Sequence, residues 1–252
     1  HIFASNVSGA TLVLPTSTLG KQYYSINYTQ ISNEKNSYSY FFVVAVEDNT
    51  EVEIIPKTAT QGGWLAGSVN RVTLQKGEIY QVLGALSSNL GNFSTGGDLT
   101  GSTIRSISTT LESCKRIAVF SGSGKIAIGC GNSGSGSADN LYQQVYPTVA
   151  WGKKFITAPL KSRNYDIFRI MKSDITANVT LNGSPIPAAS FVNNFYYEFT
   201  SQQVNVIESD KPIQVAQYAI TQNKSINCVN IPEPAGDPEM IFLNPLERNI
   251  EK

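Results

Sequence analysis

The chain has 252 residues, balanced at 19 basic and 19 acidic side chains, with 15% charged residues and a single histidine. That length provides one large or two ordinary domains. The charge balance excludes a surface dominated by nucleic-acid counterion release, and no apolar run approaches the roughly 18–20 residues of a membrane-inserting helix.

Taken in order, the chain reads as strands and turns, with helix signals nearly absent. It opens His1-Ile2-Phe3, without Met or a signal pattern, as a segment of a longer precursor does. Phe41-Phe42-Val43-Val44 is a continuous apolar run that suits a central strand covered on both faces. Glu51-Val52-Glu53-Ile54 and Arg71-Val72-Thr73-Leu74-Gln75 alternate with period two, as half-buried strands do. Ile117-Ala118-Val119-Phe120 and Gly124-Lys125-Ile126-Ala127-Ile128 flank Ser121-Gly122-Ser123, read as a hairpin turn. Ile167 to Met171 is a second central-strand run, and Asn182-Gly183 fits a type I′ turn. Short, regularly punctuated strands of this kind predict β-sandwiches.

The predicted hairpin places Cys114 opposite Cys130. A cross-strand disulfide in an oxidising, extracellular setting is one reading, and three buried free thiols is the other. Cys228 is left over in both.

The strand pattern occurs twice. Phe42 to Ile54 is echoed by Phe168 to Thr180, Lys115-Arg116-Ile117-Ala118-Val119-Phe120 by Lys211-Pro212-Ile213-Gln214-Val215-Ala216, and Asp139 to Pro147 by Asp237 to Pro245. Lys76-Gly77 before Tyr80 matches Asn193-Asn194 before Tyr197, so each copy keeps a residue suited to the left-handed region. The expected architecture is all-β, two tandem β-sandwich modules related by internal duplication, over residues 1–150 and 151–252. Aligning the copies, with Pro15 on Pro159, places every large insertion in the first. The added loops are Thr16–Tyr38, Lys57–Asn70 and Gly84–Gly101, and they carry the candidate binding aromatics Tyr23, Tyr24, Trp64 and Phe93. Such loops either recognise a ligand or pack across the joint between modules.

Catalysis has little to stand on. The only histidine is residue 1, so a Ser-His-Asp or Cys-His set has no internal base. Glu47, Asp48, Glu51 and Glu53 are read as solvated surface rather than as a glycosidase pair. Asp98, Asp139, Asp174 and Asp237 lack calcium-loop spacing and are read as turn formers, and no metal or cofactor is implied. The glycine-rich run 129–137 lacks the Gly-Lys-Ser/Thr ending of a phosphate loop.

Val44-Ala45-Val46-Glu47-Asp48-Asn49-Thr50, Leu74 to Val82, Asp98 to Ser102, Cys114 to Gly122, Asp139 to Pro147 and Asp237-Pro238-Glu239-Met240-Ile241 lie in order along nearly the whole chain. Together they resemble the N-terminal domain family of the IgG-Fc-binding protein and its relatives in bacterial surface proteins, with an Asn- and Lys-rich style like the Bacteroidetes-type members. Asn140 stands where many relatives carry His, so no role of that side chain is carried over. The resemblance implies a secreted or surface-exposed, non-enzymatic module of a larger adhesin or matrix protein. Its partners would be the other domains of that chain and an extracellular protein or glycan, mucin-like or of the matrix. A spacer in a surface fibre is the alternative.

Overall fold

A computed structural model describes residues 2–4, 7–29, 37–90, 93–111, 113–129, 137–161, 163–221 and 236–248. The protein is all-β, with short 3-10 turns as its only helical elements among the described residues. None of its described helices is long and apolar enough to cross a membrane. The chain divides into two compact units, His1–Ala127 with Ser133–Val149, and Ile128–Asn132 with Ala150–Lys252.

Unit 1 holds β1 (Ile2–Ala4), β2 (Val7–Gly9), β3 (Gln22–Tyr24), β4 (Ser39–Ala45), β5 (Thr50–Ile55), β6 (Asn70–Leu74), β7 (Ile79–Leu83), β8 (Leu86–Leu90), β9 (Phe93–Gly96), β10 (Thr103–Ile107), β11 (Ile117–Ile126) and β12 (Asp139–Gln144). Two four-stranded antiparallel sheets, β12-β11-β4-β7 and β3-β10-β5-β6, make the sandwich, and β1–β2 and β8–β9 are separate hairpins. The apolar run of β4 lies between β11 and β7, where a strand must be apolar on both faces. Alternation along β5 turns Val52 and Ile54 inward, where they are wholly buried, as are Tyr23, Ile104, Phe41, Val43 and Val119.

Unit 2 holds β13 (Gly152–Thr157), β14 (Asp166–Lys172), β15 (Val179–Leu181), β16 (Ser184–Pro185), β17 (Tyr196–Ser201), β18 (Asn205–Ala219) and β19 (Glu239–Phe242). The 15-residue β18 serves two ladders. Its first part pairs β13 and β15, and its second part pairs β14 and β19. Phe155, Ile170, Val179, Ile207, Ile213 and Val215 form the core beneath. Both units therefore follow the same strand orders. The order β12-β11-β4-β7 is matched by β19-β18-β14-β17, and β3-β10-β5-β6 by β13-β18-β15-β16.

The ladders change the alignment of the two patterns by one residue. Val43 is opposite Tyr80, and Ile170 is opposite Tyr197, so Arg169 rather than Phe168 takes the place of Phe42. A one-residue slip moves every side chain to the other face. It passes unnoticed here because β14 is buried on both faces. Pro15 and Pro159 are also not equivalent, since Pro15 precedes β3 and Pro159 follows β13. Nor does every longer connection belong to unit 1, because 220–238 between β18 and β19 exceeds 127–138 between β11 and β12.

Turn chemistry follows the residue types. Asn182 and Gly183 lie at φ 51° and 80°, which closes β15 and β16 with a type I′ turn. Gly77, Asn193 and Asn194 are also left-handed, at φ 85°, 54° and 55°. Ser121-Gly122-Ser123 is not a turn, however. It lies in the middle of β11, which runs unbroken from Ile117 to Ile126 between β4 and β12. A Cβ at Gly122 would stand 1.8 Å from the Leu141 carbonyl oxygen, so this glycine permits close strand approach instead. Without that hairpin, nothing places Cys130 across from Cys114. Cys114 is a free thiol, and Cys130 and Cys228 lie outside the described residues.

Candidate binding site

The connection between β5 and β6 is tied down by its own backbone. Buried Thr60 receives the Trp64 N–H on its hydroxyl at 2.9 Å, and its own N–H donates to the Trp64 carbonyl at 2.9 Å. Gly63, at φ 89°, makes the return possible by donating to the Thr60 carbonyl. The loop is also stitched to the end of β7, because Gln61 N–H donates to the Leu83 carbonyl and Ala85 N–H to the Ala59 carbonyl, both at 2.8 Å.

This scaffold sets the Trp64 ring on Tyr80, with centroids 5.6 Å apart and planes 17° from parallel. Tyr80 lies directly opposite the buried Val43 on the neighbouring strand, so it shares that inward face, and Trp64 lies over its ring. Trp64 stays partly exposed and, with Gln61, Tyr80, Gln81 and Leu83, lines an open groove of about 280 Å³. Unit 2 closes the corresponding place. Phe191, only 5% exposed, packs over Tyr197 at 5.9 Å, and the Lys172 ammonium sits 4.3 Å above the Phe191 ring.

A second groove, of about 430 Å³, lies on the outer face of β3-β10-β5-β6 and is lined by Lys21, Gln22, Arg71, Arg105 and Cys114 around Glu53. Arg105, Glu53 and Arg71 stand directly opposite one another on three adjacent strands. Arg71 donates from Nε and Nη2 to Glu53 Oε2 at 3.2 and 3.1 Å, and Arg105 donates from Nε to Oε1 at 2.8 Å. Burial works to raise the Glu53 pKa, but hydrogen bonds and charge from Arg105 and Arg71 outweigh it and hold the carboxyl below its usual range. The expectation of a solvated Glu53 is thus corrected: its side chain is 4% exposed.

The aromatics expected on the first-copy loops are not gathered in one place. Tyr23 is wholly buried, accepting a hydrogen bond from Gly20 N–H at 2.8 Å and donating to the Ile117 carbonyl at 2.7 Å. Burial pushes its hydroxyl up to about 12, against the lowering effect of the Gly20 bond. Tyr23 has no free surface to offer a ligand. Tyr24, half-buried, lies on the outer face of the sheet with Gln22, and burial raises its pKa. The Phe93 side chain lies outside the described residues, although its backbone belongs to β9. Of the four, Trp64 alone lines a groove described above.

Tyr80 and Gln81 were not singled out from the sequence as binding residues. The one available signal was an aromatic in a strand flanking the loop that carries Trp64. The turn aspartates act as backbone acceptors. Asp98 holds the Thr100 N–H at 2.9 Å, Asp174 holds the Thr176 N–H at 2.8 Å, and Asp139 holds Ser8 and Asn140 N–H at 2.8 and 2.7 Å. Asp237 offers its backbone carbonyl to the Arg163 guanidinium at 2.8 Å. No group of three or more His, Cys, Asp or Glu converges as a metal site among the described residues.

The fold is a β-sandwich type that carries the partly exposed, ring-stacked Trp64 on a tied-down loop. The chain belongs to the IgGFc binding protein family, whose model matches residues 9–252. No curated protein and no solved structure matches it.

Proposed function

We propose that this chain is a non-enzymatic extracellular binding module of a larger surface or matrix protein, which meets a protein or glycan ligand through the loops of unit 1. The observation that carries this reading is the partly exposed Trp64, held by the Thr60 ring of hydrogen bonds and stacked on Tyr80 beside an open groove. A rigid aromatic with polar neighbours is the usual anchor of such surfaces. The family's name, taken from IgG Fc binding, supports an extracellular protein partner and makes Fc one ligand to try.

The test is binding of the intact chain and of Trp64→Ala to glycan and protein arrays that include IgG Fc. Ligands that bind the wild type should lose about tenfold or more in affinity with the variant, while its unfolding midpoint stays close to wild type. Equal binding by both, or none by either, removes the reading.

The spacer alternative draws on Tyr23 and Tyr28, first-loop aromatics that are buried rather than displayed. A glycosidase finds no support in the second groove, where Glu53 is the one lining carboxylate and both its oxygens bind arginines. We infer further that the shared strand order of the two units reflects duplication, with the first copy remodelled for contact.

A further inference from the structure

The outer edge of β7 is an unfinished ladder. Backbone groups alternate sides along a strand. Glu78 accepts from Ala45 N–H, and Gly84 N–H donates to the Ser39 carbonyl, so Tyr80 and Val82 face β4. Ile79, Gln81 and Leu83 therefore turn their N–H and C=O groups away from the sheet. Leu83 and Ala85 find partners on Gln61 and Ala59, on either side of a single isolated bridge between Thr60 and Gly84. That pairing stops where the chain turns back through Gly63 to Trp64. Among the described residues, the outward groups of Ile79 and Gln81 have no backbone partner.

Free N–H and C=O groups on alternate residues recur about every 6.8 Å, a spacing that an extended polypeptide matches. From Ile79 to Leu83 the strand carries no charged side chain, and Ile79 is 61% exposed. Native edges of that kind are ordinarily guarded by charge or covered. The corresponding strand of unit 2 has both defences: Glu198 sits within β17, and Val192 bonds Tyr196 in both directions at 2.7 and 3.2 Å. In unit 1 the open rungs run beside the Trp64–Tyr80 stack.

We propose that β7 takes up an extended, uncharged segment of a partner polypeptide as an added strand, with one apolar side chain of that segment against Trp64 and Tyr80. Main-chain bonds to Ile79 and Gln81 supply the pairing, and the aromatic stack supplies the side-chain preference. This rests on the reading of the Trp64 groove as the recognition site and names its partner class.

The test selects linear dodecapeptides from a displayed random library against the intact chain. Synthetic copies of the selected sequences are then titrated against wild type, Gln81→Ala, Gln81→Pro and Trp64→Ala. Proline is tolerated where an edge N–H faces solvent, so Gln81→Pro deletes one rung while keeping the fold. The expected result is about tenfold or greater loss for Gln81→Pro beyond whatever Gln81→Ala loses through the side chain. Hydrogen exchange of the Ile79 and Gln81 amides in the wild type should slow when peptide binds, a readout that needs no variant to fold.

Failure to select any linear peptide overturns the proposal, as does equal binding by the alanine and proline variants with unchanged amide exchange. Wild-type dimers that Gln81→Pro converts to monomers assign the edge to a second copy and also overturn it. Array ligands that are lost with Trp64→Ala but kept with Gln81→Pro leave the groove as a binding site and remove strand addition alone.

Discussion

Glu53 shows how far a single residue's role depends on its cross-strand neighbours. In the sequence it is one of two acids alternating with Val52 and Ile54, a pattern equally suited to solvent. Its burial follows only when Arg71 and Arg105 are placed opposite it on either side. Because Arg105 and Arg71 overcome the effect of burial, its pKa is lower in the folded chain than its ordinary 4.5. Its contribution is therefore complete above about pH 4.5 and is lost as pH falls further. The half-exposed arginines screen the pair, so Glu53→Gln should cost about 1–2 kcal/mol at pH 7. Thermal unfolding from pH 7 to 3 should show a steeper loss in wild type than in the variant. Tyr23 runs with the opposite sign. Its raised pKa keeps the neutral hydroxyl stabilising up to about pH 10, with loss on the way to about 12. Tyr23→Phe should cost about 1–2 kcal/mol near neutral pH by freeing the Gly20 N–H and the Ile117 carbonyl, as read by urea denaturation. The sequence placed Tyr23 in a loop because a three-residue strand has too little periodicity to reveal an inward face.

At the scale of elements, the strands and their closing turns were largely legible. The apolar runs of β4 and β14 identified interior strands, and Asn182-Gly183 specified its hairpin through positive φ at both positions. β11 misled because Ser121-Gly122-Ser123 has turn composition, while the reason for the glycine lies in another strand, at the Leu141 carbonyl. Gly122→Ala should consequently be far more damaging than an ordinary strand substitution, by about 3 kcal/mol or more, since backbone rather than a flexible side chain must move. Gly183→Ala, at φ 80° with open space around it, should cost about 1 kcal/mol from backbone strain alone. Chemical denaturation of both variants separates the two uses of glycine. The Trp64 groove was half legible. The loop and its tryptophan stood out as an insertion, but Gln81 became visible only through the pairing parity of β7.

For the molecule as a whole, the chain's two tryptophans divide between the units, Trp64 in the first and Trp151, 4% exposed, in the second. Each is an intrinsic reporter of its own unit, Trp64 from the groove loop and Trp151 from a buried position. Single-tryptophan variants, Trp64→Phe and Trp151→Phe, followed by fluorescence in urea should give two distinct midpoints, and coincident curves would show one cooperative unit. The sequence pattern pointed to two units of like strand order but missed how they register, because strands apolar on both faces carry no mark of which residue points where. One difference between the units has a practical side. In unit 2 the chain passes from one ladder to the next within β18, whereas in unit 1 residues 108–116 separate β10 from β11. The shared strand order is achieved without that stretch, so the sandwich has no topological need of it. It is a natural port, where a peptide tag or fluorophore carrier can be spliced in and leave the Trp64 groove on its own loop undisturbed.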